Sequence, residues 1–331
     1  MTTPPLAPVP STPVGSPARV SSAPSAPAPG AQALRAPTPG TPAPGDGAPA
    51  PHPTTPAGAP QRPLHRPPLG PLAATATLAM FALAAVAPGL LAPGSPESLD
   101  LGATLQAPSA AHWFGTDELG RDLYTRVVHG TGLSLLIGLG AAAVSLTLAV
   151  LLAAASALTG RILSGAADRT IEILFAFPTL LLALLLIATL GPSPLSLVLA
   201  VGVGTAPGYA RIVRGQLLSA RTSGYVEAAT ALGHGRLRIV AAHILPNALR
   251  PLVGIFTMSI GQSIVWASSL AFLGLGVAPP SPEWGALLDA GRAYLTAAGW
   301  LVVIPGLVIA VLALAATTLG KHIQTRLETG R

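Results

Sequence analysis

The chain has 331 residues, 9% of them charged and 50% hydrophobic, with a mean hydropathy of +0.61. An ordinary soluble domain carries about 25% charged residues, so 18 Lys+Arg and 12 Asp+Glu are too few to coat a soluble protein of this length. The absence of cysteine excludes a disulfide scaffold, thiolate metal sites and cysteine nucleophiles. The formal charge of +6 and a pI near 10.7 suggest nucleic acid at first sight, but the placement of the charges decides the matter.

Residues 1–70 hold 21 of the 36 prolines, with four arginines (Arg19, Arg35, Arg62, Arg66), Asp46 and no aromatic residue. Such a segment buries too little apolar surface to offset the entropy of ordering it, which predicts a disordered Pro/Ala-rich tail with local polyproline II character. The first apolar run begins only near residue 71, too late for a signal peptide.

Beyond Arg66 the charges act as boundaries. Uncharged stretches cover Pro67–Pro96, Gly130–Gly160, Ile173–Ala210, Pro251–Pro282 and Ala293–Gly320. A transmembrane helix needs about 20 apolar residues to cross roughly 30 Å of hydrocarbon. The third stretch, at 38 residues, is too long for one pass, and Gly191-Pro192-Ser193-Pro194 divides it. The prediction is an all-α membrane protein with a single domain over 71–331 and six spans, at about 71–92, 133–158, 173–190, 195–212, 251–276 and 298–319. The 159–172 segment is then a short connector, and 213–250 is a loop too long for a simple link between bundle helices.

Lysine and arginine orient the bundle. The tail, 159–172, 211–250 and the C-terminus contain 15 of the 18 basic residues; the opposite side holds only Arg121, Arg126 and Arg292, with seven of the twelve acids. The positive-inside tendency puts both termini in the cytoplasm. The basic pI is then a topology signal and not a phosphate-binding face, so no nucleic acid partner is expected.

Ahead of the second span, His112, Asp117 and Asp122 have the residue types of metal ligands. The competing expectation is that Thr116 or Asp117 caps a short outer helix with Glu118, Arg121, Asp122 and Arg126 exposed on it, while Gly115 and Gly120 permit turns. Asp168, Arg169 and Glu172 fall at the inner edge of span three and Arg211 at the inner edge of span four, so no ionisable residue lies securely within a span. This weighs against a proton-coupled secondary carrier, and no catalytic pair for an intramembrane protease is visible. Gly204-x-x-x-Gly208 with Pro207 offers a close helix approach, a kink, or ordinary packing. Phe175, Phe177 and Pro178, with Trp266, Ser268 and Ser269, are candidates for lining a pathway.

In the long loop, Ser223 is placed to cap a helix with Glu227 in its first turn. Tyr225, Ala228, Ala229 and Leu232 fall at helical spacing on one face, where small alanines let another protein's backbone approach. Gly233 and Gly235 stop that helix, a second short one follows from Arg236, and Pro246 ends it. His234 and His243 read as interfacial or solvated and not as proton relays. An ordinary amphipathic surface helix is the plain alternative for this segment.

These residues carry a resemblance. Glu227-Ala228-Ala229, Gly233 and Leu245-Pro246 resemble the EAA loop of importer-type ABC-transporter permeases, although that pattern has an aliphatic residue where this chain has His243. His243-Ile-Leu-Pro-Asn247 is similar to the dipeptide, oligopeptide and nickel branch. His112-Trp-Phe-Gly-Thr-Asp-Glu-Leu-Gly-Arg-Asp122 and Phe272-Leu-Gly-Leu-Gly-Val-Ala-Pro-Pro-Ser-Pro-Glu-Trp-Gly285 resemble segments of its "C"-type subunits. The resemblance runs from about residue 71 to the end. It implies a type I ABC importer permease fold in the cytoplasmic membrane, a non-catalytic subunit, and transport of dipeptides or oligopeptides, with nickel or another small solute as the alternative. It further implies four kinds of partner: a homologous second permease, cytoplasmic ATPase subunits, an extracytoplasmic substrate-binding protein and membrane lipid. By resemblance, Tyr225, Glu227, Ala228, Ala229 and Gly233 dock on the ATPase, and Leu245 and Pro246 set the entry angle of the fifth span. The chain has no Gly-x-x-x-x-Gly-Lys-Ser/Thr sequence, so no cofactor or metal is expected on this subunit and ATP falls to a partner.

Overall fold

The computed structural model describes residues 69–329. The tail predicted over 1–70 therefore lies, but for its last two residues, outside the described residues. Among those described, every regular element is helical. Helix α1 is Leu69–Val86 and α2 is the single turn Pro88–Leu91. Helices α3 (Leu123–Leu158), α4 (Arg161–Ala176), α5 (Thr179–Leu190) and α6 (Pro194–Arg221) follow. The next segment holds α7 (Gly224–Ala231), α8 (Arg236–Ile239), a π turn (Val240–Ile244) and α9 (Leu245–Leu249). Helix α10 (Leu252–Leu270) runs into a second π turn (Ala271–Leu275), and α11 (Trp284–Arg292) and α12 (Trp300–Thr329) complete the chain.

The six apolar segments of the sequence fall on α1, α3, the α4–α5 pair, α6, α10 and α12. Four of these, α3, α6, α10 with its π turn, and α12, are each long and apolar enough to cross a membrane, whereas α1 is a shorter apolar helix. The third predicted span departs from expectation. Residues 173–190 do not form one rod: α4 and α5 meet at a 93° bend. Pro178 has no N–H to donate and disfavours helix in Phe177, which adopts an extended φ/ψ of −80° and 132°. With 12 residues, α5 reaches only about 18 Å. The 159–172 connector is also corrected, because most of it is the body of α4. Ala167 and Ile171, one helical turn apart, are its buried positions. Helices α3 and α6 outrun their predicted spans, to 36 and 28 residues, because helical bonding continues past the hydrocarbon-length apolar run. The Gly191–Pro194 turn is where the sequence puts it. Ser193 caps α6 by accepting a hydrogen bond from the Ser196 N–H at 3.0 Å.

The segment before α3 shows a second departure. The only helical turn there is the 3-10 turn Leu101–Ala103, and none forms over 116–122; Gly115 and Gly120, with φ of +77° and +73°, fold the chain so that Thr116 bridges to Asp122. Arg121 and Arg126, expected on an exposed face, are buried, and so is Asp117, a candidate for the cap. The Asp117 carboxylate accepts from Arg121 Nε at 2.6 Å and from Arg126 Nη1, while Arg126 Nη2 donates to the Pro280 carbonyl at 3.3 Å. Helical spacing alone does not reveal this, since the groups that bury Arg126 come from 154 residues away. Asp122 instead caps α3, accepting from the Thr125 N–H at 2.8 Å.

The 280–285 segment closes the same knot. Trp284 is fully buried and its Nε1–H donates to the Val127 carbonyl at 2.9 Å. Glu283 caps α11 by accepting from the N–H groups of Gly285 and Ala286, and takes a further bond from Ser134 Oγ at 3.3 Å. A Cβ at Gly130 would overlap the Pro282 carbonyl, so glycine is what lets this segment lie on α3. Thus residues of the two distant motifs, 112–122 and 272–285, meet in one buried assembly on the first turns of α3.

Two outcomes test this assembly. Asp117→Ala removes the acid between two buried guanidiniums and lowers stability by about 3–5 kcal/mol, read as a fall in the thermal-unfolding midpoint in detergent; an unchanged midpoint contradicts it. Burial raises the Glu283 carboxyl above the ordinary carboxylate range, against the pull of its backbone and Ser134 bonds. The folded chain then holds that proton to higher pH than the unfolded one. The stability it contributes is complete below about pH 4.3 and is lost as pH rises through the raised value. Relative to Glu283→Gln, which cannot ionise, the wild-type midpoint should therefore fall over that window, and a gap independent of pH contradicts the assignment.

Candidate coupling surface and cavity

At the opposite end of α3, the 224–249 segment is clamped onto the bundle by its own core. Val226 and Ala229 of α7, Ile239, Ile244 and Ala248 pack with Ala153 and Ala157 of α3, Val213, Leu217 and Ala220 of α6, and Leu252 and Ile255 of α10. Arg221 Nη1 donates to the Ala157 carbonyl at 3.2 Å and Arg236 Nη2 to the Leu158 carbonyl at 3.1 Å. These are among the last carbonyls of α3, which have no partner within the helix and favour cations. Helix α7 thus shares one apolar core with α3, α6 and α10.

The predicted docking residues divide between two faces of α7. Tyr225, Glu227 and Ala228 are exposed. Ala229, placed by resemblance with the docking residues, is buried in the core just described and faces inward. The reason is the helical repeat: Val226 and Ala229 share the face three residues apart that covers α3 and α6. Ser223 occupies the cap position but makes no capping bond; its hydroxyl donates back to the Ala220 carbonyl at 2.6 Å.

Gly233 ends α7 as a left-handed residue, with φ of +79°. The His234 N–H reaches the Ala229 carbonyl at 3.1 Å and the Gly233 N–H reaches the Thr230 carbonyl at 3.0 Å, the paired bonds of a Schellman end. Gly235, with φ of −64°, needs no such freedom and stands before α8. Pro246 does not end the second short helix. It is the second residue of α9, directly after the π turn that widens the helix where the proline N–H is missing. Leu245 packs partly on the shared core and Pro246 is exposed. His234 and His243 stack at 6.0 Å with their rings 8° from parallel.

Two residues outside the predicted docking set stand out on this surface. Leu232 and Leu237 flank the glycine elbow and are 76% and 83% exposed. The available sequence signal was a leucine directly before Gly233 and another between Arg236 and Arg238.

The break between α4 and α5 opens a cavity of about 440 Å³ against α6 and α10. Four pathway candidates, Phe175, Phe177, Pro178 and Trp266, line it; Ser268 and Ser269 line a different hollow. Of the Gly204–Gly208 pair, only Gly204 meets a neighbour closely, at Thr179, and Gly208 faces open space. Tyr209 OH donates to Gln262 Oε1 at 2.9 Å across the cavity. Asp168, far from lying free at an edge, joins α4 to α6 through Arg214, whose Nη2 donates to it at 3.2 Å, and to α3 through the Ser156 hydroxyl. The metal alternative is not assembled. His112 Nδ1 lies 3.1 Å from Asp122 while Asp117 is turned to its arginines, and among the described residues no three His, Asp or Glu side chains converge.

Residues 145–329 match the family described as the binding-protein-dependent transport system inner membrane component. The chain is 37% identical over 248 residues to the dipeptide transport system permease protein DppC of Alkalihalophilus pseudofirmus, covering 75% of this chain and 82% of that one. It is 40% identical over 238 residues to the probable D,D-dipeptide transport system permease protein DdpC of Escherichia coli K12, covering 72% and 80%. It is 38% identical over 227 residues to the glutathione transport system permease protein GsiD of Pectobacterium atrosepticum, covering 67% and 74%. Among solved structures, the native crystal form of the inward-facing MetNI methionine ABC transporter is similar in fold, with a TM-score of 0.51 at 20% identity over 62% of this chain and 97% of that one. The chain belongs to the family of binding-protein-dependent transport system inner membrane components. It is thus a multi-pass membrane subunit of an ABC transporter.

Proposed function

We propose that the chain is a permease subunit of an ATP-driven importer of dipeptides or oligopeptides, coupled to a separate ATPase through α7 and its glycine elbow. The observation that carries the coupling assignment is the two-sided build of the 224–249 segment. One face is locked into the ends of α3, α6 and α10, and the other presents Tyr225, Glu227, Ala228, Leu232 and Leu237 outward. Apolar side chains presented by a short helix and its turn suit insertion into a groove of another protein. The peptide assignment is supported by relatives whose names specify dipeptide and glutathione transport.

In this reading both termini and the 224–249 segment are cytoplasmic, and the Asp117–Glu283 assembly faces the external binding protein. Closure of the ATPase dimer pushes on α7, and the shared core carries that push into α3, α6 and α10. Ala229 acts by seating α7 on the bundle, while Tyr225, Glu227 and Ala228 contact the ATPase. Gly233 sets the turn that exposes the two leucines, and Leu245 and Pro246 aim the chain into α10. ATP is bound by the partner subunits, so this chain performs no chemistry.

Two measurements check the assignment. Leu237→Glu leaves the fold intact, since its side chain is 83% exposed, and should abolish co-purification of the ATPase; retention of the ATPase contradicts it. At Gly233 the added side chain meets open space, so the cost of substitution is backbone strain of about 1–2 kcal/mol. Gly233→Val should accordingly weaken ATPase binding strongly and Gly233→Asn only slightly, because asparagine tolerates the left-handed conformation. In reconstituted vesicles, dipeptide uptake should require ATP and the binding protein; uptake driven by a proton gradient without ATP sinks the importer reading.

A further inference from the structure

We infer that the cavity at the α4–α5 break is a station for the peptide main chain, and that Arg211 at its rim receives the free C-terminal carboxylate. The inference rests on the peptide-importer reading above and adds to it a site and the group on the substrate that the site recognises.

The cavity lies where the surrounding helices are interrupted. Phe177 is extended between α4 and α5, and Pro207 inside α6 withholds the N–H that the Val203 carbonyl would accept. Within a membrane such irregular backbone is tolerated where it lines a cavity or is covered by protein. The volume of about 440 Å³ is in the size range of small-molecule sites, roughly 300–1,000 Å³. None of its lining residues is charged. Its polar groups are neutral: Gln262, whose Oε1 is taken by Tyr209 OH and whose two amide N–H groups remain to donate, and the Thr179 hydroxyl, while the Thr205 hydroxyl already donates to the Val201 carbonyl at 2.8 Å. Such groups match the amide of a peptide bond, which every substrate peptide shares. Phe175, Phe177 and Trp266 supply apolar wall without selecting a side chain. This lining can hold a peptide but cannot neutralise its terminal carboxylate.

Arg211 supplies the missing charge. Its guanidinium carbon stands 3.6 Å from the centroid of the Phe175 ring, a lining residue, and the next residue, Ile212, also lines the cavity. Neighbouring basic groups are already engaged, Arg214 with Asp168 and Arg169 with Glu172 at 3.1 Å each. Arg211 makes no ion pair among the described residues and its side chain is exposed. Stacking fixes the plane of the guanidinium while leaving its N–H fork free to take a carboxylate in two parallel hydrogen bonds.

The test uses the whole transporter in lipid vesicles, without the binding protein, so that selection by that protein does not enter. A photoactivatable dipeptide, photo-leucyl-leucine, is crosslinked as the free acid and as the C-terminal amide, and adducts are mapped by mass spectrometry. The expected result is labelling of the Phe175–Phe177 and Gln262–Trp266 segments by the acid. Arg211→Gln should reduce that labelling by at least about tenfold, the scale of one charge-assisted hydrogen bond. The amide should label wild type and variant equally, and Gln262→Leu should weaken both. Equal labelling of wild type and Arg211→Gln by the acid overturns the role of Arg211, as does an equal loss for acid and amide, the pattern expected if Arg211 holds only a lipid phosphate or the ATPase. Absence of labelling at both segments overturns the station itself. ATP-driven dipeptide uptake by the same wild-type preparation with binding protein added separates the readings: uptake without labelling removes only this inference, whereas no uptake removes the functional reading beneath it.

Discussion

A peptide group in hydrocarbon has no water to bond, so a chain that crosses a bilayer keeps its N–H and C=O groups inside helices unless other protein groups or an internal space receive them. Most of this structure follows from that constraint. Helices α3, α6, α10 and α12 are continuous for long stretches, and the connection between α5 and α6 is compressed to a few residues closed by the Ser193 cap. The exceptions matter for the same reason. The Phe177–Pro178 break and Pro207 lie side by side on one cavity, so the irregular backbone of two elements shares one space. An interruption that would be costly against lipid becomes a feature of the interior.

The two ends of the bundle are organised by different physics. At the end holding residues 92–122 and 276–299, ionisable groups are buried on hydrogen-bond partners: the Asp117 carboxylate serves two guanidiniums, and the Glu283 carboxyl lies on the N–H groups of α11. A buried charge network of this kind has few alternative arrangements, because moving one member strands another. At the other end the contact is chiefly apolar, built from alanine, valine, leucine and isoleucine of α3, α6, α7 and α10. Such a core is close-packed and transmits strain from one element to the next. Fixed geometry at one end and a close-packed joint at the other suit a subunit whose helices move together, which is what the proposed coupling requires.

What could be read along the chain was whatever depends on local composition. The helical class, the places of the apolar segments, the break at Gly191–Pro194 and the glycine elbow at Gly233 all reflect properties of short stretches: hydrophobic length, missing N–H groups and a backbone angle open to glycine. Pro178 carried the same kind of signal and marks the α4–α5 bend, although a continuous apolar run around it argues for one uninterrupted span. The cavity residues illustrate the limit. Phe175, Phe177 and Trp266 were legible as candidates, but Ser268 and Ser269, two and three residues beyond Trp266, line another hollow.

Helical periodicity tells which residues share a face and leaves open which face the rest of the chain covers. Ala229 and Ala228 are equivalent in sequence, yet one is enclosed by α3 and α6 and the other is exposed. Arg126 looks like a surface cation at a helix start, and its burial depends on Asp117 and on carbonyls 154 residues away. Composition and local pattern therefore determined the class of the protein, its membrane-spanning segments and the bends its prolines and glycines allow. The tertiary structure alone decided which charges are paired, which alanine faces inward and which arginine is left free at the rim of a cavity. Those outcomes depend on contacts between residues far apart in the chain, and no local property of either partner encodes them.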